Sequence, residues 1–271
     1  MRRARLAIAW APALALLLSA ATGWAQSDGP ADAKKSAEQA MAVVERMAEF
    51  LARAQRFAVT VDIAFDVVQA QGQKIEFGET RTILLRRPDR LRIDEKRRDG
   101  RTGGIVFDGK TLTVFSSKDN VYATDAKSDG RGTTVDEVIG HLRNDLDVRL
   151  PLAEWLDSDL PRMLPEHVRE AAYVEQSEIA GVPCYHLALR GDAVDLQLWV
   201  AKGDHPLPQR LVMTYTREDG RPQFSAQFRD WNLAPEAPDS LFTFTPPAGA
   251  VKITFGPKLI QPTGIGGGQR R

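Results

Sequence analysis

The sequence contains very little cysteine and no long block of positive charge. Cys184 is the one cysteine in 271 residues, so no disulfide can form within the chain and its stability must come from an apolar core. The 36 basic residues equal the 36 acidic ones in number and are dispersed among them, which argues against nucleic-acid binding. Beyond residue 25 no apolar run approaches the ~20 residues of a membrane helix. We therefore expect no stable membrane span in the mature protein.

Familiar catalytic motifs are also missing. The sequence has no Gly-x-Ser-x-Gly elbow, no phosphate-binding glycine loop and no His-Glu-x-x-His pair. The glycines of "GIGGG", near the end of the chain, follow no predicted strand and precede no helix, so they do not fit a dinucleotide site. These absences predict a protein that is not an enzyme and that uses no cofactor.

The segment "GVPCYHLAL" brings Cys184 and His186 close together. Residues two apart on a strand share a face, but a nucleophilic cysteine also needs an orienting partner and oxyanion donors. A zinc site needs further ligands, and His141, His167 and His205 stand in unrelated surroundings. We predict no metal site and a structural role for the cysteine. A hydrolase that uses His186 or His205 is kept as one alternative hypothesis.

The first 25 residues have the layout of a secretory signal peptide. Three arginines precede the apolar run "LAIAWAPALALLLSAA", and small residues precede a cut after Ala25. Gln26 stands where a lipid-modified chain needs a cysteine. The sequence predicts secretion across the inner membrane and a periplasmic location.

Four segments follow the signal. Residues 26–35 are polar and predict a flexible lead-in, and apolar spacings of three and four predict an amphipathic helix over 36–56. A single domain is expected over 36–255, and the Gly-rich residues 256–271 predict a disordered tail.

The sequence of the domain predicts a mainly β structure with flanking helices. About ten strands with a period of two are separated by turns such as Asp108-Gly109 and Asp219-Gly220, and one antiparallel sheet of that size must curl or close. Between the strands, Thr134 and Glu137 predict a capping box. It opens a mid-chain helical insertion whose apolar stripe includes Val138 and Leu146.

Several stretches resemble a family of predicted periplasmic proteins that is similar to the LolA-like superfamily of outer-membrane lipoprotein carriers. They include "RRPDRLRID", "FDGKTLTVF", "AGVPCYHLAL", "VDLQLWVAKGDHPLPQRLVMTY", "PQFSAQFRDW" and "LFTFTPPAGAVKI". The resemblance covers about residues 36 to 255. It implies an incomplete antiparallel β-barrel whose hydrophobic cavity is covered by an N-terminal helix and a mid-chain helical insertion.

The resemblance also implies a function. We expect a periplasmic binding or carrier protein that holds acyl chains of lipids or lipoproteins without catalysis. The alternative is a regulatory module of the cell envelope that senses a lipid or a partner protein. The apolar faces of two strands are the predicted cavity wall: Phe57, Val59, Val61, Ile63, Phe65, Leu196, Leu198 and Val200.

Overall fold

A computed structural model describes residues 30–126, 133–144 and 152–254. The predicted signal peptide, the predicted disordered tail and Leu146 of the predicted stripe lie outside these ranges. The described residues include three α-helices, α1 Pro30–Arg53, α2 Val135–Asn144 and α3 Leu160–Glu166, and two short 3₁₀-helices at Ala153–Leu156 and Asp239–Phe242.

The first helix begins earlier than its apolar pattern predicts. It starts at Pro30 rather than Ser36, so it takes up the second half of the predicted flexible lead-in, and it ends at Arg53 rather than Arg56. Proline suits a first helical turn because its fixed φ is already helical and its missing N–H would have no partner there. One face of the helix is buried: Ala40, Val43, Val44, Met47, Ala48 and Leu51.

The strands form one sheet. Their bounds are β1 Arg56–Val68, β2 Lys74–Arg86, β3 Arg90–Arg97, β4 Thr102–Phe107, β5 Thr111–Ser116, β6 Val121–Ala126, β7 Glu170–Ile179, β8 Val182–Arg190, β9 Val194–Ala201, β10 Pro208–Tyr215, β11 Gln223–Asn232 and β12 Val251–Lys252. The order across the sheet is β12-β6-β5-β4-β3-β2-β1-β11-β10-β9-β8-β7.

This curled sheet is open, since β12 and β7 are two separate edges. All neighbours are antiparallel except the short β12, which runs parallel to β6. The predicted class, an incomplete antiparallel barrel with a covering N-terminal helix and a mid-chain helical insertion, is confirmed.

The turns differ in detail from their sequence signals. Ala180 and Gly181 both have positive φ, at 49° and 84°, as a type I′ hairpin requires. At the predicted Asp108-Gly109 turn only Gly109 has positive φ, and the Asp108 carboxylate instead accepts hydrogen bonds from the N–H groups of Lys110 and Thr111. A side chain therefore stabilises that turn.

The mid-chain insertion is fixed to the sheet by side chains. The predicted capping box is present, because Thr134 Oγ1 accepts from the N–H of Glu137 and Glu137 Oε2 accepts from the N–H of Thr134. Arg87, just beyond β2, donates to Asp136 on α2 over 3.0 Å. His141 lies 2.7 Å from Asp125 on β6. The helix is thereby held over the β3–β6 part of the sheet.

The core lies between the helices and one face of the sheet, which we call the inner face. Alternate residues of the strands join the buried sides of α1, α2 and α3 in one apolar cluster. The largest side chains in it that are almost wholly buried include Phe57, Phe107, Phe224, Met47 and Leu142. The helical coverage thus lies where the sheet presents its apolar side.

Candidate functional site

The residues predicted to form a cavity wall all lie on the inner face. On β1, Phe57 to Phe65 at alternate positions are at most 4% exposed. On β9, Leu198 and Val200 are fully buried, and Leu196 is half-buried against the same cluster. The two strands are separated by β10 and β11. The structure therefore brings the predicted residues together on one apolar surface.

The first helix closes over this surface unevenly. Near its beginning, Ser36 Oγ donates to the carbonyl of Tyr173 and accepts from the N–H of the same residue, on the edge strand β7. Its last two turns instead border an open groove of about 660 Å³. The helix is thus pinned to the sheet at one end and faces a groove at the other.

The groove, hereafter the mouth groove, lies at one end of the curled sheet. Arg46, Glu49, Phe50 and Arg53 recur at helical spacing and form one wall. The remaining lining comes from the residues just before and at the start of β1, the turn between β9 and β10, and the chain after β11: Ala54, Gln55, Arg56, Gly203, Asp204, Pro206, Leu233 and Ala234.

The apolar floor of the mouth groove is continuous with the core. Phe50, Ala54 and Leu233 are partly buried side chains packed against the inner-face cluster. Next to Leu233, the Trp231 ring lies 5.4 Å from that of Phe57, between centroids, and its indole N–H donates to the carbonyl of Pro208. Packed apolar side chains therefore connect the groove floor to Phe57, the first predicted wall residue, which is 1% exposed.

A second feature of the inner face is a buried cluster of charges on β2 and β3. Glu79 and Arg81 occupy inward positions next to the apolar Ile83, and are 6% and 5% exposed. They form an ion pair with each other, and Arg81 also lies 4.0 Å from Glu95 on β3. Arg97 is 4.0 Å from the other oxygen of Glu95. We call these four side chains the charge quartet.

The electrostatics of the charge quartet centre on Glu95. Burial raises the pKa of this carboxyl, and the neighbouring charge of Glu79 raises it further, while Arg81 and Arg97 act in the opposite direction. Loss of water around a carboxylate disfavours its charged form, and a like charge nearby does the same. The two glutamates thus compete for the same cationic partners.

Cys184 and His186 lie on the opposite, outer face of the sheet. The thiol is fully buried and donates to the carbonyl of Val182, and burial raises its pKa, which keeps it protonated and unreactive. The His186 ring stacks on Trp199 at 4.1 Å between centroids and contacts Gln197 over 3.2 Å. Both side chains have partners typical of a structural role.

The other predicted candidates are dispersed. His167 Nδ1 contacts the carbonyl of Met163 over 2.6 Å, and His205 lies edge-on to Phe50 beside the mouth groove. His141, on α2, contacts Asp125 on β6 and helps to hold the helix on the sheet. Across the described ranges, no three of the His, Cys, Asp and Glu side chains form a group able to hold a metal ion.

Sequence reasoning missed both the mouth groove and the charge quartet. The groove is assembled from four separate segments of the chain, so no local pattern marks it. The charge quartet does have a signal: Glu79 and Arg81 keep the same alternation as Ile83 and Leu85 and therefore share their face. A charge in register with an apolar face is a recognisable mark of an inward ion pair.

This architecture is an open β half-barrel, covered by helices, with a groove at its mouth. Residues 40–256 match the family described as "Predicted periplasmic protein (DUF2092)", and the chain belongs to that family. The resemblance noted in the sequence is confirmed at this level. No protein of curated function matches the chain.

The chain is similar to several solved structures at low sequence identity. An uncharacterised conserved protein from Thermus thermophilus is 11% identical over 80% of this chain and 99% of its own, with a TM-score of 0.44. A LolA superfamily protein from Nitrosomonas europaea is 15% identical over 76% and 97%, with a TM-score of 0.39.

The Pseudomonas aeruginosa MucA/MucB complex contains a chain 18% identical over 76% of this chain and 61% of its own, with a TM-score of 0.42. All three TM-scores are below 0.5, so these structures support no conclusion about the site of this chain. Among the described residues, no helix combines the length and the apolar character that crossing a membrane requires.

Proposed function

We propose that the protein is a periplasmic binding or carrier protein that holds acyl chains of lipids or lipoproteins against the inner face of its sheet. The predicted wall on β1 and β9 supplies the apolar surface. The family description supports a periplasmic setting. In this proposal the ligand is bound and released without chemical change.

The observation that carries the proposal is the mouth groove and its apolar floor. Its volume of about 660 Å³ falls in the range of about 300–1,000 Å³ that ligand pockets occupy. Each methylene group moved from water into such a site gains about 0.8 kcal/mol. A chain that starts in the groove and extends past Phe57 toward the wall would gain this contribution repeatedly.

The way α1 is attached supports the same interpretation. Its N-terminal half is bonded to β7 through Ser36, whereas its last two turns border the groove. In this proposal the C-terminal half of the helix, whose Met47 and Leu51 are buried against the core, moves aside to admit an acyl chain while the N-terminal attachment persists. The apolar side chains of the helix then cover the ligand as they cover the wall.

The direct test is to purify the full chain from a bacterial periplasm and examine it by native mass spectrometry. We expect adducts with the masses of lipids or acylated species. In parallel, glycerol monolaurate, an uncharged acyl compound, should displace the apolar fluorophore N-phenyl-1-naphthylamine from the protein in a saturable manner.

A matched pair of variants locates the site. Ala54→Trp fills the floor of the mouth groove and should weaken glycerol monolaurate binding about tenfold, because the ring takes the place of methylene groups that each gain about 0.8 kcal/mol on burial. Ala42→Trp adds the same ring to an exposed position of α1 and should bind as wild type. The proposal fails if no acyl compound binds, or if both variants bind like the wild type.

A further inference from the structure

The rim of the mouth groove carries more positive than negative charge. Arg46, Arg53 and Arg56 line it together with only two acids, Glu49 and Asp204. Glu49 is already engaged, because it lies 3.3 Å from Arg53 on the same helix. Arg53 is also the basic residue of the last turn, where a cation is favoured by the helix dipole. One ion pair is therefore accounted for by the helix itself.

The other two arginines of the rim are Arg46 and Arg56. Within the described ranges, neither Arg46 nor Arg56 makes an ion pair or a side-chain hydrogen bond, and both are exposed. They belong to different elements, α1 and β1, and are brought to one groove by the fold. The cross-strand neighbour of Arg56, Arg86 on β2, is instead engaged by Asp239 and adds no free cation to the rim. The positive character of this rim is thus built from separate segments.

The groove that these charges line has an apolar floor, formed by Phe50, Ala54 and Leu233. A site with guanidinium groups at its rim and apolar side chains at its floor matches a molecule that has an anionic head and an apolar tail. Guanidinium groups bind carboxylate and phosphate oxygens with paired hydrogen bonds. An uncharged head group would leave the same two arginines without a partner.

We propose that the mouth groove selects amphiphiles with an anionic head group, a carboxylate or a phosphate, and that Arg46 and Arg56 bind that group. This inference rests on the proposed acyl-binding function and narrows its ligand class. Asp204, on the opposite wall, faces the same groove and opposes the bound anion. Its removal should therefore strengthen binding.

The experiment compares three compounds with the same twelve-carbon tail: laurate, dodecyl phosphate and the uncharged glycerol monolaurate. Displacement of N-phenyl-1-naphthylamine gives the affinity of each. For the wild type we expect both anions to bind about tenfold more tightly than the uncharged compound, as charge-assisted hydrogen bonds permit. The ratio of laurate to dodecyl phosphate then distinguishes a fatty acid from a phospholipid-type head group.

The double variant Arg46→Gln/Arg56→Gln should lose about tenfold in affinity for both anions and stay within about twofold for glycerol monolaurate. The control, Arg169→Gln/Arg217→Gln, removes the same charge at the opposite end of the sheet, where Arg169 pairs with Asp192. It should change none of the three affinities. Asp204→Asn should tighten anion binding by about threefold, a gain that loss of folding cannot imitate.

The outcomes separate the two proposals. If glycerol monolaurate binds and the anions bind no better, the head-group inference is wrong and the acyl-binding proposal stands. Equal losses of affinity for charged and uncharged compounds in the Arg46→Gln/Arg56→Gln variant would also overturn the head-group inference. That result would indicate that the substitutions change the shape of the groove. If none of the three compounds binds, both proposals fail.

Discussion

Two parts of the inner face bury different kinds of side chain. Along β1 every inward position from Phe57 to Val67 is apolar. Along β2 and β3 the inward positions change from apolar residues such as Leu85 and Leu91 to the charge quartet. Both parts follow the same alternation and belong to the same sheet, so strand geometry alone places a residue inward, whatever its charge.

The difference teaches what each part contributes. Apolar inward residues stabilise the fold through burial and supply surface for an acyl chain. A buried ion pair contributes little net stability, because desolvation of its charges offsets their attraction. We therefore expect the apolar part to be sensitive to an added charge, and the charged part to be sensitive to the loss of one partner.

The largest expected effect is in the apolar part. Ile63→Asp should lower the free energy of unfolding by about 4 kcal/mol, because the new carboxylate is buried and faces Glu79 across the strand pair. Ile63→Val should cost only about 1 kcal/mol. Urea denaturation followed by tryptophan fluorescence measures both. An unchanged midpoint for Ile63→Asp would show that this face of β1 is not buried.

A somewhat smaller effect is expected in the charge quartet. Arg81→Met leaves Glu79 and Glu95 facing each other without their shared cation and should cost about 3 kcal/mol near neutral pH.

Replacing three members together, as Glu79→Leu/Arg81→Met/Glu95→Leu, should restore stability to within about 1 kcal/mol of the wild type, since Arg97 keeps Asp99 at 3.9 Å. Urea denaturation of the two variants side by side makes the comparison. A triple variant less stable than Arg81→Met would mean that the ions add net stability, which would remove the contrast between the two parts.

The smallest expected effect is a pH dependence. Because the pKa of Glu95 is raised in the folded protein, its protonated form favours folding. That contribution is present below the ordinary glutamate pKa of about 4.3 and is lost as the pH rises through the raised value. Glu95→Gln cannot ionise, so its stability relative to the wild type should increase with pH across this window.

Denaturation curves at a series of pH values give the comparison for Glu95→Gln. Glu76→Gln is the control, because it removes one glutamate carboxyl from an exposed β2 position, paired with Arg98, outside the charge quartet. A Glu95→Gln profile parallel to that of the wild type would contradict the raised pKa.

Much of the fold could be predicted because it depends on local periodicity. The alternation in β1 and β9, the helix before β1 and the capping box at Thr134 each depend on neighbouring residues, and the structure has all of them. The helix start at Pro30 was missed, since residues before Ser36 show no apolar stripe and proline usually suggests a break. A turn at Ala180-Gly181 was predicted, but its type I′ geometry was not, because alanine gives no strong signal for positive φ.

The candidate site was less accessible to sequence reasoning. The predicted wall lies on the inner face, but the mouth groove depends on residues from α1, β1, the β9–β10 turn and the chain after β11. Their proximity is a property of the strand order, which pairs β1 with β11, and no pattern within a single segment encodes it. Whether the wall and groove hold an acyl chain stays a prediction for the binding experiments above.

The position of β1 at the centre of the sheet has a consequence for how the molecule assembles. One edge of β1 pairs with β2 and the other pairs with β11. The hydrogen bond from the Gln223 N–H to the Asp66 carboxylate joins residues 157 positions apart. A chain that emerges with its N-terminus first must hold an apolar strand with an unpaired edge until β11, which begins at Gln223, has emerged. Such edges recruit other chains, so newly emerged molecules should need a chaperone's protection until that strand arrives.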